Sequence, residues 1–294
     1  MPVNRIFGTL PVLLATIACG GADGSSGERR TVIQNKGSDT IVFVALAWAE
    51  SYGDINPSVA VAVSGGGSGT GISAMVNGTV DIANTSRAMT ESEIEEARSR
   101  GIDPIEHVVG FDALAVFLHP DNPLDALSIS QLAEIYGEGG TYETWSELGV
   151  SIPGCSSDEI IRVSRQNNSG TYAYFKEAVL GQDEYKPGSL DMNGSSEVVD
   201  LVGNTPCAIG YSGLAYATEI VEMPCILTDR GDCVSPSAES AIDGSYPIAR
   251  PLFMYTAGEP TGMIKEYMDW ILGEAGQCIL VDKGFAAAGS VSCA

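Results

Sequence analysis

The first half of the chain alternates between short apolar segments and longer segments in which apolar residues recur every three or four positions. Short apolar segments are typical of buried strands, and the longer ones are typical of helices that pack one face on a sheet. We predict strands at residues 31–34, 59–64 and 80–85, and helices at residues 39–52, after Gly71 and at residues 91–100. This alternation predicts an α/β fold with a parallel sheet flanked by helices.

The second half continues the alternation in a separate block. We predict helices at residues 129–136, 169–180 and 195–202, and strands at residues 160–164 and 208–211; a further helix at residues 261–272 lies beyond this block. These elements are numerous enough to form a second α/β unit with its own core.

Two longer apolar stretches, residues 111–118 and 248–255, border this second block. A chain that leaves one unit along one long strand and returns along another builds two lobes joined by two crossing strands. We therefore expect lobe I to comprise residues 31–112 and 250–294, and lobe II to comprise residues 113–249. A ligand is expected between the lobes, where strand ends meet helix N-termini, and binding would draw the lobes together.

Residues 1–19 have the pattern of an export signal. Arg5 supplies a positive charge, an apolar stretch follows, and small residues precede Cys19. The apolar stretch is too short to span a bilayer. This end resembles a bacterial lipobox, which implies lipidation of Cys19, although Thr16 stands where leucine is usual and plain secretion is the alternative. Residues 20–30, rich in Gly and Ser, are predicted to be a flexible tether.

Net charge excludes one class of partner. The 294 residues carry a formal net charge of −23, which argues against binding to nucleic acid. It does not argue against a small anion, because charges beyond about 8 Å are largely screened at physiological salt. A pocket with one or two arginines and oriented N–H groups can hold an anion inside an acidic protein.

Cysteine usage agrees with export. Seven cysteines are present, and an even number remains once the candidate lipidation residue is set aside, which fits an oxidising compartment. Several pairings are possible; we favour two pairs that close short loops, and the third pair then follows. The predicted disulfides are Cys225–Cys233, Cys278–Cys293 and Cys155–Cys207. The spacings match no zinc site, and with only two histidines we expect no metal and no cofactor.

Three segments rich in Gly, Ser and Thr, residues 37–40, 65–71 and 165–171, are each predicted to lead from a strand into a helix. Small residues let backbone N–H groups approach a ligand, hydroxyls add donors, and the helix presents the positive end of its dipole. Together with the end of a fourth strand, the segments predict a site for a small oxyanion. The candidate ligand-binding residues are Ser38, Asp39, Thr40, Ser68, Ser86, Arg87, Arg165, Ser169, Gly170 and Thr171.

Arg165 and Arg87 are the cations that we expect at this oxyanion. Each lies at the end of a predicted strand, where a guanidinium can donate two hydrogen bonds to tetrahedral oxygens. The alternative for each is an ion pair with one of the 38 acidic residues, and it applies more to Arg87 than to Arg165.

The glycine-rich segment also fits other motifs in part. Residues 69–74 match the dinucleotide pattern G-x-G-x-x-G/A, but nicotinamide cofactors are scarce outside the cell. A P-loop is excluded because Ile72 stands where lysine is needed. A serine-hydrolase elbow at Ser68 fails because Thr70 replaces the last glycine of G-x-S-x-G.

Taken together, the three segments, Ser86-Arg87 and the stretch 246–251 resemble the phosphate-binding proteins of bacterial phosphate ABC transporters. The resemblance runs from about residue 31 to residue 285 and implies the two-lobed type II periplasmic-binding-protein fold with two crossing hinge strands. It implies that phosphate contacts Ser38, Thr40, Ser68, Arg165, Ser169, Gly170 and Thr171.

One departure from the family concerns the proton of monohydrogen phosphate. Some members place an aspartate after the residue that corresponds to Ser86, where it accepts this proton, whereas this chain has Arg87. Asp39 is the candidate substitute. The alternative for Asp39 is a cap of the following helix.

The resulting functional hypothesis is a monomeric, exported receptor that captures inorganic phosphate and delivers it to an ABC permease, with no contact to the membrane except through Cys19. The alternatives are binding of another tetrahedral oxyanion, such as sulfate, arsenate, molybdate or tungstate, and a secreted phosphatase. A phosphatase would need a base or metal ligands beside Ser68 or Ser169, which two histidines barely provide. We therefore expect no enzymatic activity.

Overall fold

The computed structural model describes Met1 and residues 30–293. The predicted lipidation residue Cys19, the rest of the predicted signal peptide after Met1 and the predicted tether up to residue 29 lie outside the described residues. In the described part, no helix is long and apolar enough to cross a membrane.

Lobe I is built from the N-terminal alternation and from the C-terminal helices. The N-terminal elements are β1 (Thr31–Gly37), α1 (Val42–Ile55), β2 (Val59–Ser64), α2 (Ser68–Val76), β3 (Ile82–Thr85) and α3 (Glu91–Ser99). A long strand, β4 (Pro104–Leu118), leads out of this lobe.

Lobe II contains shorter elements and more loop. Its elements are β5 (Ala126–Ser128), α4 (Ile129–Tyr136), β6 (Ile161–Arg165), α5 (Gly170–Phe175), β7 (Leu190–Met192), α6 (Ser195–Gly203), β8 (Ala208–Gly213), β9 (Cys225–Leu227), β10 (Cys233–Val234) and α7 (Ala238–Ile242). The chain then returns to lobe I through β11 (Ala249–Ala257), α8 (Gly262–Leu272), α9 (Glu274–Asp282) and β12 (Ala286–Ala287).

A single large sheet passes through both lobes, with β4 as the strand that they share. The strand order is β2-β1-β3-β11-β4-β8-β6-β7, and β12 also pairs with β4. Residues Pro104 to Ala113 of β4 pair with β11, whereas Leu114 to Leu118 pair with β8. The pairing partner of β4 therefore changes at the point where the lobes join. A separate small sheet in lobe II consists of β5, β9 and β10.

Each lobe has its own apolar core. In lobe I, Trp48 of α1 is fully buried among side chains of the sheet, α8 and α9, and its indole N–H donates to the Gly276 carbonyl at 2.7 Å. In lobe II, Tyr136 and Trp145 lie in the largest cluster, and their polar atoms donate to backbone carbonyls. Burial of these aromatic residues with satisfied polar atoms stabilises the lobes that present the loops.

The three predicted disulfides are confirmed. Cys225 is bonded to Cys233 across β9 and β10, Cys278 of α9 is bonded to Cys293, and Cys155 is bonded to Cys207 in the loop before β8. The first two close short loops, and the third ties two loops of lobe II together.

Several element boundaries differ from the sequence prediction. The strand β1 continues to Gly37 rather than ending at residue 34, and β4 begins at Pro104 rather than at residue 111. Three further differences concern helices that follow the predicted ligand-binding segments. Helix α1 begins at Val42 and not at residue 39, because residues 39–40 form a turn and residue 41 a bend. Helix α2 begins at Ser68, inside the glycine-rich segment, rather than after Gly71. The predicted helix 169–180 is α5 followed by a π-helical turn at Lys176–Leu180.

Gly71 allows α2 to lie against the end of β1, and we predict that Gly71→Ala destabilises the protein. A Cβ at this position would overlap the Lys36 carbonyl oxygen and lie 2.7 Å from Gly37 Cα. We expect a loss of about 1–3 kcal/mol in the free energy of unfolding, measured by chemical denaturation. The control is Gly53→Ala in α1, where a Cβ meets no atom within 4 Å and stability should rise by about 0.5 kcal/mol. Equal stability of the two variants would contradict the close approach of α2 to β1.

Candidate functional site

Three strand ends meet at the contact between the lobes. In lobe I, β1 and β3 are parallel neighbours, and their carboxyl ends lead into the residue 37–40 turn and into Ser86. In lobe II, β6 ends at Arg165, and the following loop leads into α5. The glycine-rich segment after β2 completes the arrangement, so that all the predicted segments reach one region.

Hydroxyl groups from both lobes form a hydrogen-bonded cluster in this region. The Ser38 hydroxyl donates to Ser86 Oγ at 3.0 Å, and the Thr40 hydroxyl donates to the same oxygen at 3.4 Å. Ser68 Oγ also lies 3.4 Å from Ser86 Oγ. Across the contact, Thr40 Oγ1 of lobe I and Thr171 Oγ1 of lobe II are 3.0 Å apart. We call Ser38, Thr40, Ser68, Ser86, Ser169 and Thr171 the hydroxyl cluster.

The hydroxyl cluster is enclosed, and backbone N–H groups point to its oxygens. Each of its six residues is at most 4% exposed. The backbone N–H groups of Thr40, Ser86 and Thr171 donate to Ser38, Ser68 and Ser169 Oγ, at 3.2, 3.1 and 3.1 Å. The cluster therefore concentrates hydrogen-bond donors at the first turns of α2 and α5, where helix dipoles favour negative charge.

Glycines permit the close contact of the two lobes. A Cβ at Gly170 would lie 2.6 Å from Ser86 Oγ, and a Cβ at Gly67 would lie 2.6 Å from the Asn168 carbonyl oxygen. The Asn168 amide donates to the Gly66 carbonyl at 3.0 Å, and the Asn168 carbonyl accepts from Gly69 N–H at 3.0 Å. The loop before α5 is thus hydrogen-bonded to the glycine-rich segment of lobe I.

Arg165 is buried beside the hydroxyl cluster but is hydrogen-bonded elsewhere. Its guanidinium donates to Ser195 Oγ at 2.9 Å and to the Asn193 carbonyl at 2.7 Å. Burial lowers its pKa, and the nearby Asp39 carboxylate opposes this shift. In the part of the chain that the structure describes, none of its hydrogen bonds goes to the cluster, so direct ligation by Arg165 stays a prediction.

Asp39 links the lobes and does not cap α1. Its Oδ1 accepts from Gly66 N–H at 2.8 Å, and its Oδ2 lies 3.6 Å from Arg165 Nη2. The residue at the N-cap of α1 is Ile41, without a side-chain cap. The helix-cap alternative for Asp39 is therefore not the one that the structure shows, and its carboxylate stands between the glycine-rich segment and lobe II.

Arg87 is not brought to the hydroxyl cluster. Its guanidinium forms a bidentate pair with the Glu93 carboxylate at 2.7 and 2.8 Å and also donates to the Ala88 carbonyl. The ion-pair alternative for Arg87 is thus the one that the structure shows. The reason is local: Glu93 occupies the third position of α3, where it also accepts from Thr90 N–H in a capping box, and this fixes it beside Arg87.

A buried ion pair that the sequence analysis did not single out lies against the hydroxyl cluster. Arg250 of β11 donates from Nη2 and Nε to Asp112 Oδ2 of β4, at 2.8 and 3.1 Å. Nη2 also donates to Thr40 and Thr171 Oγ1, at 3.3 and 3.1 Å. Burial raises the pKa of Asp112, and the charge of Arg250 opposes that rise. The two predicted apolar stretches, residues 111–118 and 248–255, contain one charged residue each, and this is the sequence signal that could have identified the pair.

The arrangement offers donors to an anion but no evident base. His107 Nε2 lies 3.0 Å from Thr256 Oγ1, and His119 Nδ1 accepts from Asp121 N–H, so neither histidine is bonded to the hydroxyl cluster. Within residues 30–293, no three His, Cys, Asp or Glu side chains are grouped to hold a metal ion. Chemically, the site can hold an acceptor-rich, negatively charged group.

Comparison with known proteins decides the family. The model of the PBP superfamily domain matches residues 24–275. The phosphate-binding protein PstS of Pseudomonas aeruginosa is 31% identical over 277 residues, which cover 90% of this chain and 84% of that protein. The chain belongs to the PBP superfamily, as a PstS-type member. Among other PstS-type relatives, the phosphate-binding protein PstS of Bacillus subtilis is 30% identical over 284 residues, 93% of this chain and 89% of that protein.

Solved structures agree with this assignment to the PstS type. A putative phosphate ABC transporter substrate-binding protein with bound phosphate, from Clostridium perfringens, has a TM-score of 0.77 at 27% identity and covers 88% of this chain and 100% of its own. An ABC-type phosphate transport receptor from Vibrio cholerae has a TM-score of 0.70 at 25% identity, with 87% and 100% covered. The family resemblance and the two-lobed type II periplasmic-binding-protein fold are thereby confirmed.

The Arg87–Glu93 pair leads to a prediction about stability and pH. Burial on its own would raise the pKa of Glu93, but hydrogen bonds from Arg87 and Thr90 outweigh it and lower the pKa below its ordinary value. A lowered carboxyl pKa adds stability above the unfolded-state pKa, and this stability is lost as the pH falls through the folded-state pKa. Glu93→Gln, which keeps the capping box, should cost about 1 kcal/mol at pH 7.

Chemical denaturation of Glu93→Gln and of the unaltered protein at pH 7 and below about pH 4 checks this, because the difference should shrink at the lower pH. Glu96→Gln is the control, since Glu96 pairs with Arg100 on the exposed face of α3 and should matter less at either pH. If the difference in free energy of unfolding between Glu93→Gln and the unaltered protein does not change with pH, the Glu93 charge does not hold Arg87.

Proposed function

We propose that this protein captures inorganic phosphate between its two lobes, outside the cytoplasmic membrane, and delivers it to an ABC permease. The observation that carries the proposal is the hydroxyl cluster, in which donors from both lobes converge on one enclosed point beside a guanidinium. Phosphate offers four oxygens and negative charge, so it can accept hydrogen bonds from several of these donors at once. The names of the relatives, which include a structure with bound phosphate, support the same ligand.

Enclosure of the hydroxyl cluster supports the free anion rather than a phosphate ester. Ser68, Ser86 and Thr171 are each 0% exposed. An ester would carry an organic group attached to one phosphate oxygen, and that group would need space next to these side chains. A free anion carries no such group, so it needs the least additional space between the hydroxyls.

The same geometry supports a binding protein rather than a phosphatase. Serine nucleophiles need an adjacent general base. Ser68 is hydrogen-bonded to Ser86 and Ser169 accepts from Thr171 N–H, while the two nearby carboxylates, Asp39 and Asp112, face arginines. A substrate-binding protein of a transporter needs no such base.

Several parts of the proposal rest on the sequence and on the family. Export and lipidation at Cys19 are proposed from the N-terminal pattern, and delivery to a permease is proposed from the names of solved relatives that include an ABC transporter. A monomeric state is part of the same proposal. The division into lobe I, residues 31–112 and 250–294, and lobe II, residues 113–249, is supported by the change of pairing partner along β4.

The experiment that tests the function is recovery of the bound ligand. The purified protein is denatured and the released anion is measured, and the refolded protein is titrated with phosphate, sulfate and molybdate by calorimetry. We expect phosphate to be released and to bind in preference to the others, with no competition from glycerol phosphate and no turnover of an aryl phosphate. Release of another oxyanion, or turnover of the ester, would overturn the proposal in favour of that alternative.

Ser86→Ala should weaken phosphate binding, because Ser86 Oγ is the oxygen that Ser38, Thr40 and Ser68 share. Removal of one hydrogen bond to a charged group costs about 1.5–3 kcal/mol, which corresponds to about a 10-fold to 150-fold loss of affinity. Calorimetry measures it. Ser73→Ala, on the exposed face of α2, is the control and should bind like the unaltered protein; equal affinities of both variants would remove Ser86 from the site.

Asp39→Asn should reduce the preference for phosphate over sulfate. Phosphate carries a proton near neutral pH and sulfate does not, so a carboxylate accepts a hydrogen bond from phosphate and repels sulfate, whereas an amide can also donate. We expect a modest loss of phosphate affinity and about a tenfold loss of preference, measured by competition calorimetry.

Asp81→Asn is the matched control for Asp39→Asn, because Asp81 Oδ2 also accepts from a backbone N–H, that of Gln34, at 2.7 Å. It should leave the preference unchanged. If Asp39→Asn retains the full preference for phosphate, Asp39 does not accept the phosphate proton and acts only as a link between the lobes.

A further inference from the structure

The side chain of Arg250 lies between the hydroxyl cluster and the strands that join the lobes. It is 0% exposed, and its Nη2 reaches Thr40 Oγ1 of lobe I and Thr171 Oγ1 of lobe II, at 3.3 and 3.1 Å. Its Nη1 donates to the Ser86 carbonyl at 3.2 Å. One guanidinium is therefore in hydrogen-bond contact with three residues around the enclosed point, and they come from both lobes.

Asp112 holds this guanidinium in place. Arg250 and Asp112 are directly opposite each other in the pairing of β11 with β4. Both Nε and Nη2 donate to the same carboxylate oxygen, Oδ2, and the Asp112 side chain is 1% exposed. A carboxylate in this position fixes the side-chain torsions of Arg250 and aims the end of the guanidinium at the hydroxyl cluster.

The other candidate cations are engaged away from the cluster. Arg87 is bound by Glu93, and Arg165 donates to Met192 and Asn193 carbonyls and to Ser195 Oγ. Among the arginines and lysines of residues 30–293, Arg250 is the one with hydrogen bonds to the hydroxyl cluster.

We propose that Arg250 supplies the positive charge that binds the anion, and that Asp112 acts as the positioning residue that aims it. This inference rests on the proposed function, since it assigns the cation of that same site. It places the charge on a crossing strand rather than in the three loops that carry the hydroxyls. An anion held by Thr40, Ser86 and Thr171 would thus meet a guanidinium fixed to the part of the sheet that joins the lobes.

The effect of Asp112 on affinity has a sign that separates positioning from simple charge. Removing a negative charge near an anion strengthens its binding if charge is all that matters. If Asp112 positions Arg250, its removal weakens binding instead. A loss of phosphate affinity in folded Asp112→Asn therefore indicates that Asp112 positions Arg250. The lost charge alone predicts stronger binding, and a purely structural role predicts no loss of affinity once the protein is folded.

The experiment is phosphate calorimetry on Arg250→Gln, Asp112→Asn, the double variant and Arg250→Lys. We expect Arg250→Gln to bind at least about 30-fold more weakly, Arg250→Lys to recover part of this loss, and Asp112→Asn to bind more weakly than the unaltered protein. The double variant should be no weaker than Arg250→Gln alone, because Asp112 acts through Arg250. Arg162→Gln, on β6 beside Glu143, is the matched control and should bind normally.

A variant that replaces both charges guards against loss of folding. Removing one member of a buried pair is strongly destabilising, whereas replacing both by apolar residues of similar size is often tolerated. Arg250→Met with Asp112→Leu should therefore fold, as judged by circular dichroism, and should fail to bind phosphate.

Unchanged phosphate affinity in Arg250→Gln or in the apolar double variant would overturn the assignment of Arg250. Stronger binding by Asp112→Asn would overturn the positioning role. If the unaltered protein itself does not bind phosphate, the proposed function fails, and this inference fails with it; in the first two outcomes the proposed function stands.

Discussion

Buried hydrogen-bond donors must find acceptors, and the contact between the lobes is organised around that requirement. In the structure the hydroxyl cluster meets it internally: Ser38, Thr40 and Ser68 bond to Ser86, and Thr40 and Thr171 approach each other beneath Arg250. Bonds between neutral hydroxyls are modest, whereas bonds from the same donors to an anion are roughly twice as strong. An oxyanion at this point therefore gains several charge-assisted bonds without burying any further polar group of the protein. The contact between the lobes and the proposed binding of the anion use the same set of donors.

The requirement also explains the composition of the loops. Backbones of the two lobes can approach closely only where side chains are small, which is why Gly67 faces the Asn168 carbonyl and Gly170 faces the Ser68 and Ser86 hydroxyls. A β-carbon at either glycine would separate the lobes and leave the donors without their partners. Gly71 has a similar role inside lobe I, where it lets the first turn of α2 lie against β1. Glycines and hydroxyl residues therefore alternate in these segments because one set brings the backbones together and the other fills the contact with donors.

Local pattern was sufficient to predict much of this arrangement. The strand–helix alternation, the second half of β4, the three disulfides and the convergence of Ser38, Thr40, Ser68, Ser86 and Thr171 were predicted from the chain. Partners set by packing were not predictable in the same way. Arg87 sits next to a serine in the sequence, but the capping box of α3 brings Glu93 to it. Arg250 lies in a stretch identified only as a hinge. Its contact with the hydroxyl cluster depends on Asp112, and the register of β11 on β4 places these two residues opposite each other. A single sequence shows which residues lead into a helix, but it does not show which residue lies across a sheet.

Charge at the site is balanced locally, in contrast to the net charge of −23. Arg165 faces Asp39 across the contact, and Arg250 is paired with Asp112, so each arginine has a carboxylate beside it. Such a site carries no net positive charge, so its attraction for an anion acts only at short range, through the Arg250 guanidinium, oriented donors and fixed dipoles. Because the attraction is short-ranged, selectivity depends on the number and direction of the donors and on the position of an acceptor. An anion of similar shape but different protonation state meets the same donors, but its contact with a carboxylate differs. Four of the six hydroxyl residues and Arg250 belong to lobe I, and lobe II adds Ser169 and Thr171 together with the loop that closes over them. Lobe II thus covers the donors of lobe I, and burial strengthens the dependence of each hydrogen bond on the position of its donor.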